Sequence, residues 1–231
     1  MLKIAILQSN YIPWKGYFDM INMVDEFVIF DDVQYTRRDW RNRNLVKTRE
    51  GIKWLTIPVN VKGNYFSKIN DVTVSDNKWA VDHWRTIQQN YAKAPFFKEY
   101  KDFFEDLYFN LQEESLSKIN LLFINTINRI LKINTPISFS TDFPLNSGKN
   151  ERLIAICKYC KADVYLSGPS AKEYIDESKF NEENIDVQWM DYSGYNEYPQ
   201  LYEGFVHGVS ILDLIFNTGP EVKKYMKSFV A

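Results

Sequence analysis

The chain has 231 residues and nearly balanced charge, 28 Lys and Arg against 30 Asp and Glu. This excludes the broadly basic surface of a duplex nucleic-acid binder but leaves room for a local anion site. Its 45% hydrophobic and 25% charged residues are those of an ordinary globular protein. The 15 Tyr and 6 Trp exceed what a core needs and hint at an aromatic, carbohydrate-type cleft. The N-terminus lacks a basic signal region and no apolar run reaches membrane-span length, so the expectation is a cytoplasmic protein without membrane insertion.

In chain order, residues 3–7 read as a buried strand, 15–24 as a short helix and 27–30 as a second buried strand. So tight a unit implies a parallel pair with a right-handed crossover. Residues 44–48 and 53–59 read as the arms of a hairpin turning at 49–51, and 60–77 as loop, with a turn at Gly63–Asn64. Residues 78–132 carry only helical periodicity, the third helix opening near Ser115 or Ser117. Strands return at 136–140, 163–167 and 186–192. Between them lie a helix over 149–160 opened by "NSGK", a second helix with Ser170 and Glu173 in capping-box spacing, and a last helix ending at Gly219. The alternation predicts one α/β domain over 1–231, mostly parallel and Rossmann-like, with a β-hairpin and a central helical insertion at 78–132.

Ligands of open parallel sheets bind beyond the carboxyl ends of the strands. Gln8, Asn10, Tyr11, Trp14, Lys15 and Tyr17 follow the first strand, with two readings open: a ligand loop, or a plug over the sheet. Asp31 and Asp32 follow the second strand, with Gln34 just beyond. Either carboxylate could hold Mg²⁺, an amine or a sugar hydroxyl. In "RRDWRNRN", Arg37, Arg38, Arg41 and Arg43 surround Trp40 and Asn42, and such forks suit phosphate or carboxylate. If extended, Arg37, Arg41 and Arg43 would share one face. Ser167, Gly168 and Lys172 form a third strand-end turn with anion character. His83 has the pKa for proton transfer but sits on an apolar helix face, where core histidines are commoner. Cys157 and Cys160 fall late in a helix and read as structural thiols, and no metal-ligand spacing is visible.

The segments "LQSNYIPWKGYFDMI", "DEFVIFDDVQYTRRDWRNRN", "WLTIPV", "YLSGPSAKEYI" and "GFVHGVSILDLIFNTG" resemble the WbqC-like family along essentially the whole chain. Ser9 stands where that family's first motif has proline. The resemblance implies a role in O-antigen and other surface-polysaccharide biosynthesis, with transfer of glycine or another acyl group to the amine of a nucleotide-linked amino sugar. "YIPWKGY" also resembles a degenerate form of the ATP-phosphate loop of nucleotidyltransferases with the HIGH motif, a HUP-type fold, with Trp14 or Lys15, and Tyr17, near the places of its histidines. It implies ATP with Mg²⁺ as a candidate cofactor and adenylate formation as an alternative chemistry. On the transferase reading the arginines hold the diphosphate, Asp31 or Asp32 orients the amine, Tyr11, Trp14 and Trp40 stack on sugar or base, and His83 is a reserve base. A non-catalytic nucleotide-sugar-binding protein is the other alternative, and a homo-oligomer is compatible with each.

Overall fold

A computed structural model describes residues 1–63, 66–76, 78–145 and 148–229. Asn64 of the expected turn, and Asn146 and Ser147 of "NSGK", lie outside them.

The strands are β1 (Lys3–Leu7), β2 (Glu26–Ile29), β3 (Arg43–Thr48), β4 (Gly51–Thr56), β5 (Ile137–Phe139), β6 (Val164–Ser167) and β7 (Asp186–Trp189). The helices are α1 (Lys15–Asn22), α2 (Lys78–Tyr91), α3 (Phe97–Phe109), α4 (Leu116–Leu131), α5 (Lys149–Tyr159), α6 (Glu177–Glu182) and α7 (Ile211–Thr218). Five strands form a parallel sheet in the order β5-β2-β1-β6-β7, and β3 and β4 form a separate antiparallel hairpin. This is the expected α/β architecture with hairpin and helical insertion. The chain winds outward from β1 through β2 to β5, then returns to the other side of β1 for β6 and β7. The switch point therefore falls between β1 and β6, where doubly wound sheets open a crevice at their carboxyl edge.

Both faces of the sheet are covered, which is why its central strands read as continuous apolar runs. The larger core joins the inner faces of α2, α3, α4 and α7 to α1 and the hairpin, and a smaller one lies under α5 and α6. The helix α7 ends at Gly219 with φ of +51°, a left-handed geometry that glycine tolerates; a side chain there would strike the Phe96 ring.

Two local expectations are corrected. Ser170 caps no α-helix: Pro169 opens a 3₁₀ turn over Pro169–Glu173 one residue earlier, so Ser170 is already inside it. The following helix α6 is capped instead by Asp176, which accepts from the Ser178 amide. Residues 37–42 are a turn, with Arg38 at φ of +59°, so the extended alternation assumed for the arginines does not occur. From Met190 to Ser210 the chain runs as a strap without helix or strand, and β7 stops at Trp189 rather than reaching residue 192.

Candidate functional site

The loop after β1 turns sharply because Ile12 takes φ of +36°, and the Asn44 side chain donates to the carbonyls of both Tyr11 and Ile12 at 3.0 Å. The Tyr11 amide donates to the Trp40 carbonyl (3.1 Å), and the Ile211 amide to that of Pro13 (2.9 Å). Clamped in this way, the loop sends Tyr11 one way and Trp14 another. Gly16 is required here, because a Cβ would overlap the Trp14 indole folded back over the start of α1.

Tyr11 enters the helical insertion. Its hydroxyl meets His83 Nδ1 at 2.9 Å and the Tyr108 hydroxyl at 2.5 Å, with no exposed surface. Burial pushes the His83 imidazole down to about 4, with Lys53 adding to the effect and the Thr56 backbone opposing it. His83 is thus neutral and packed against Trp79 and Tyr11, and neither Tyr11 nor His83 offers a face to a ligand. Tyr17 is buried as well, its hydroxyl donating to the Gln8 carbonyl at 3.1 Å. The plug reading holds for Tyr17. Trp14 instead forms one wall of a cavity of about 270 Å³ whose other walls are Asn10, Trp40, Asn44 and Gly208.

The two carboxylates after β2 diverge. Asp31 is buried and accepts from the Ser9 amide (2.8 Å), the Ser9 hydroxyl (2.6 Å) and the Ser117 hydroxyl. Desolvation raises its pKa, opposed by those hydrogen bonds and by the Arg41 charge. Ser9 is therefore what ties the first loop to Asp31. Ser117 acts within the same network, while Ser115, at the N-cap of α4, makes no side-chain cap bond. Asp32 pairs with Arg152 of α5 and accepts from Ser140. The pair as arranged does not share one cation, and among the described residues no cluster of three or more His, Cys, Asp or Glu could hold a metal.

The arginines likewise disperse. Arg37 donates to the Val61 carbonyl (3.1 Å), Arg38 is exposed, and Arg43 reaches the Arg38 carbonyl while lying 4.0 Å over the Trp54 ring. Arg41 alone turns inward. Its guanidinium donates to Asn10 Oδ1 and to Gln8 Oε1 (3.1 Å), with the Asp39 carboxylate 3.6 Å away. Its backbone is held too: the buried Asn120 donates to the Arg41 carbonyl and to Ser9 Oγ, both at 2.9 Å. Burial raises the Tyr174 hydroxyl above its ordinary value, and the Arg41 charge opposes that rise. Arg41 therefore lies beside the loop leaving β1, held there by the Gln8 and Asn10 amides and the Asp39 carboxylate, and within electrostatic reach of Asp31 and Tyr174.

Asn42 is buried and donates to the Ile57 carbonyl (2.8 Å), and Gln34 is bridged across to Lys68. Ser167 is buried against the Tyr165 hydroxyl (3.2 Å), Gly168 faces open space, and Lys172 lies over the Trp189 ring. Lys15 is buried under the strap, its ammonium 4.6 Å from the Tyr195 ring centre and 3.3 Å from the Asn196 carbonyl. Burial lowers it to about 8, with the nearby Asp19 opposing. Both cysteines are free, and burial raises their thiols to about 12, away from reactive thiolate.

The strap was not legible as part of the site. Lys47 holds it by donating to Gln200 Oε1 (3.1 Å) and to the Tyr202 and Gly204 carbonyls. Tyr198 donates to the buried Asp213 (2.8 Å), which Tyr91 meets from the other side (2.8 Å). Tyr192 and Tyr195 pack edge-on against Trp14, closing the back of the cavity wall. Among the described residues no helix is long and apolar enough to cross a membrane.

No solved structure matches the chain. A Mycobacterium tuberculosis protein named Uncharacterized protein Rv1507c is 48% identical over 227 residues, covering 98% of each chain. The model of the WbqC-like protein family matches residues 8–225, from the first loop with its Arg41 partners through the strap, and the chain belongs to that family.

Proposed function

We propose that the protein is a transferase that passes an amino acid, glycine-like, or another acyl group to the amine of a nucleotide-linked amino sugar in surface-polysaccharide biosynthesis. The observation that carries this reading is Arg41. It is a guanidinium tied by Gln8 and Asn10 to the loop leaving β1, beside a cavity walled by two tryptophans and two asparagines. The guanidinium can take a diphosphate in competition with the Asp39 carboxylate 3.6 Å away, and a cavity between two indoles with the Asn10 amide in its wall suits a sugar ring. In the transfer, the acceptor nitrogen attacks the acyl carbon, the bond from that carbon to its activating group breaks, and the amine gives up a proton. The contribution of the site is positioning. Asp31 supports it from beneath through Ser9, rather than touching substrate.

Titration calorimetry with a nucleoside diphosphate amino sugar tests the anion site. Loss of a charge-assisted hydrogen-bond donor in Arg41→Ala should weaken binding roughly ten- to a hundredfold. Unchanged affinity removes Arg41 from the reading. Amide formation assayed with aminoacyl carriers, in parallel with amino-acid-dependent ATP–pyrophosphate exchange, tells transfer from adenylation. Nucleotide-sugar binding with no turnover from any donor points to a binding protein.

A further inference from the structure

The outer face of the hairpin carries a feature that the cavity does not use up. The pairing of β3 with β4 sets Arg43 opposite Thr56 and Leu45 opposite Trp54. On antiparallel strands, paired residues share a face, so Arg43, Leu45 and Trp54 lie together, away from the buried Val46 and Leu55. The indoles of Trp54 and Trp40 stand 5.2 Å apart at 44°, and Arg43 lies 4.0 Å over the Trp54 ring. Trp40 keeps 41% and Trp54 40% of its surface accessible, although tryptophan is among the residues most costly to leave in water. The guanidinium over Trp54 fixes that ring in place, and its partner on the Arg38 carbonyl fixes the guanidinium.

This shelf is continuous with the cavity, because Trp40 belongs to both. It also adjoins Arg41 in sequence across the 37–42 turn, which sends Arg41 inward and leaves Trp40 outward. A ligand with a diphosphate at Arg41 has a ring on each side of its charge. One ring fits the enclosed cavity between Trp14, Trp40 and the two asparagines. The other then meets the exposed, cation-backed rings of Trp40 and Trp54, tilted 44° to each other. Enclosure between two indoles with the Asn10 amide alongside suits the sugar, whereas an exposed π surface suits a ring recognised by its face alone.

Resting on the proposed function, we infer that Trp54 and Trp40, backed by Arg43, form the stacking site for the base of the nucleotide ligand, with the sugar end in the cavity. Stacking of this kind tolerates different bases, so this shelf supplies affinity for a nucleobase and the cavity supplies the choice of sugar.

The test compares nucleoside diphosphates carrying different bases with inorganic diphosphate, by calorimetry and by quenching of tryptophan emission. The expected result is that nucleoside diphosphates bind the unaltered protein roughly 5- to 100-fold more tightly than diphosphate and quench emission. In Trp54→Ala that ratio should fall toward one while diphosphate affinity holds, and Trp54→Phe should keep most of it. Circular dichroism on the exposed-site variants checks that they fold. A base-dependent ratio that survives Trp54→Ala overturns the shelf and leaves the anion site standing. Diphosphate bound with no gain from the base does the same. Failure of both diphosphate and nucleotide to bind removes the function reading along with the shelf. If Trp54→Ala instead changes the sedimenting mass without changing the ratio, this face is a contact between copies of the chain and the inference fails.

Discussion

The first loop has two sides, and they are built differently. Toward the helical insertion it is sealed: Tyr11 runs into a file of Tyr108, Tyr11 and His83, edged by Trp79 and Phe123. Toward the hairpin it is open: Asn10 and Trp14 face Trp40 and Gly208 across a cavity. Two residues separate Tyr11 from Trp14, and both are amphipathic aromatics. What separates their fates is backbone geometry, the left-handed Ile12 and the Asn44 clamp, rather than side-chain chemistry. An aromatic near a strand end is therefore a ligand candidate only after the direction of the turn is known.

The largest test of that contrast is a pair of truncations. Tyr11→Ala removes a fully buried ring and strands His83 and Tyr108 without their shared hydroxyl, so unfolding free energy should drop by about 3–5 kcal/mol. Trp40→Ala, on the open side, should stay within about 1 kcal/mol, because an exposed ring stabilises little. Urea midpoints compare them directly. Equal losses would mean that the open side is as structural as the sealed one.

A smaller effect sharpens the sealed side alone. The unfolded chain binds a proton at His83 near 6.5, the folded chain only near 4. Between those values the unfolded state holds more protons, so stability falls as pH drops through this window. The groups facing the imidazole are the Tyr11 hydroxyl, the Trp79 ring, Lys53 and the Thr56 backbone, and none of them is a carboxylate. The expected loss is on the order of 2 kcal/mol between pH 6.5 and 4. His83→Gln should flatten that slope when denaturant midpoints are followed across the range. A slope that persists in the variant assigns it to other groups.

Much of the frame was readable from residues. Apolar runs of four or five gave the parallel strands, and helical spacing with no strand candidate marked the insertion. The site was readable in part. Strand ends converge on one edge because every strand of the main sheet is parallel, so Gln8, Asn10, Asp31 and Ser167 had to lie along it. Which of them face outward was hidden, since it depends on residues far away in sequence. Asp31 is covered by Ser117, 86 positions on, and Asp32 is taken by Arg152, 120 positions on. The arginine cluster misled for a local reason: Arg38 in left-handed geometry breaks the alternation that would have gathered the charges. The strap carried no periodicity at all. Its signals were Tyr192, Tyr195 and Tyr198 at spacings of three, without a helix to explain them, and the "GFVHGVS" segment at its end; the Lys47 contacts that tie it down lie 153 and 155 positions away in sequence.

That strap allows the finest comparison, between the open cavity and the cation buried beside it. Lys15 follows Trp14 directly, yet it points under the strap to the rings of Tyr195 and Tyr198, 4.6 and 5.3 Å from their centres, and to the Asn196 carbonyl. Asp19, one turn along α1, is the acidic group that acts on it, and that carboxylate is already engaged by Tyr195 and by the amides of Lys227 and Ser228. The folded protein releases the Lys15 proton near pH 8, the unfolded chain near 10.5. Between those values the unfolded state binds more protons, so stability contributed at this site rises as pH climbs from 8 to 10.5. Lys15→Met keeps the stem and removes the charge. At pH 7 it should stabilise the fold by on the order of 1 kcal/mol, and that gain should shrink to nothing by about pH 10.5 in denaturant titrations. A loss of stability at pH 7 would reverse the balance. It would mean that two tyrosine faces and one carbonyl outweigh desolvation, and that the strap lies over the site because a charge holds it there.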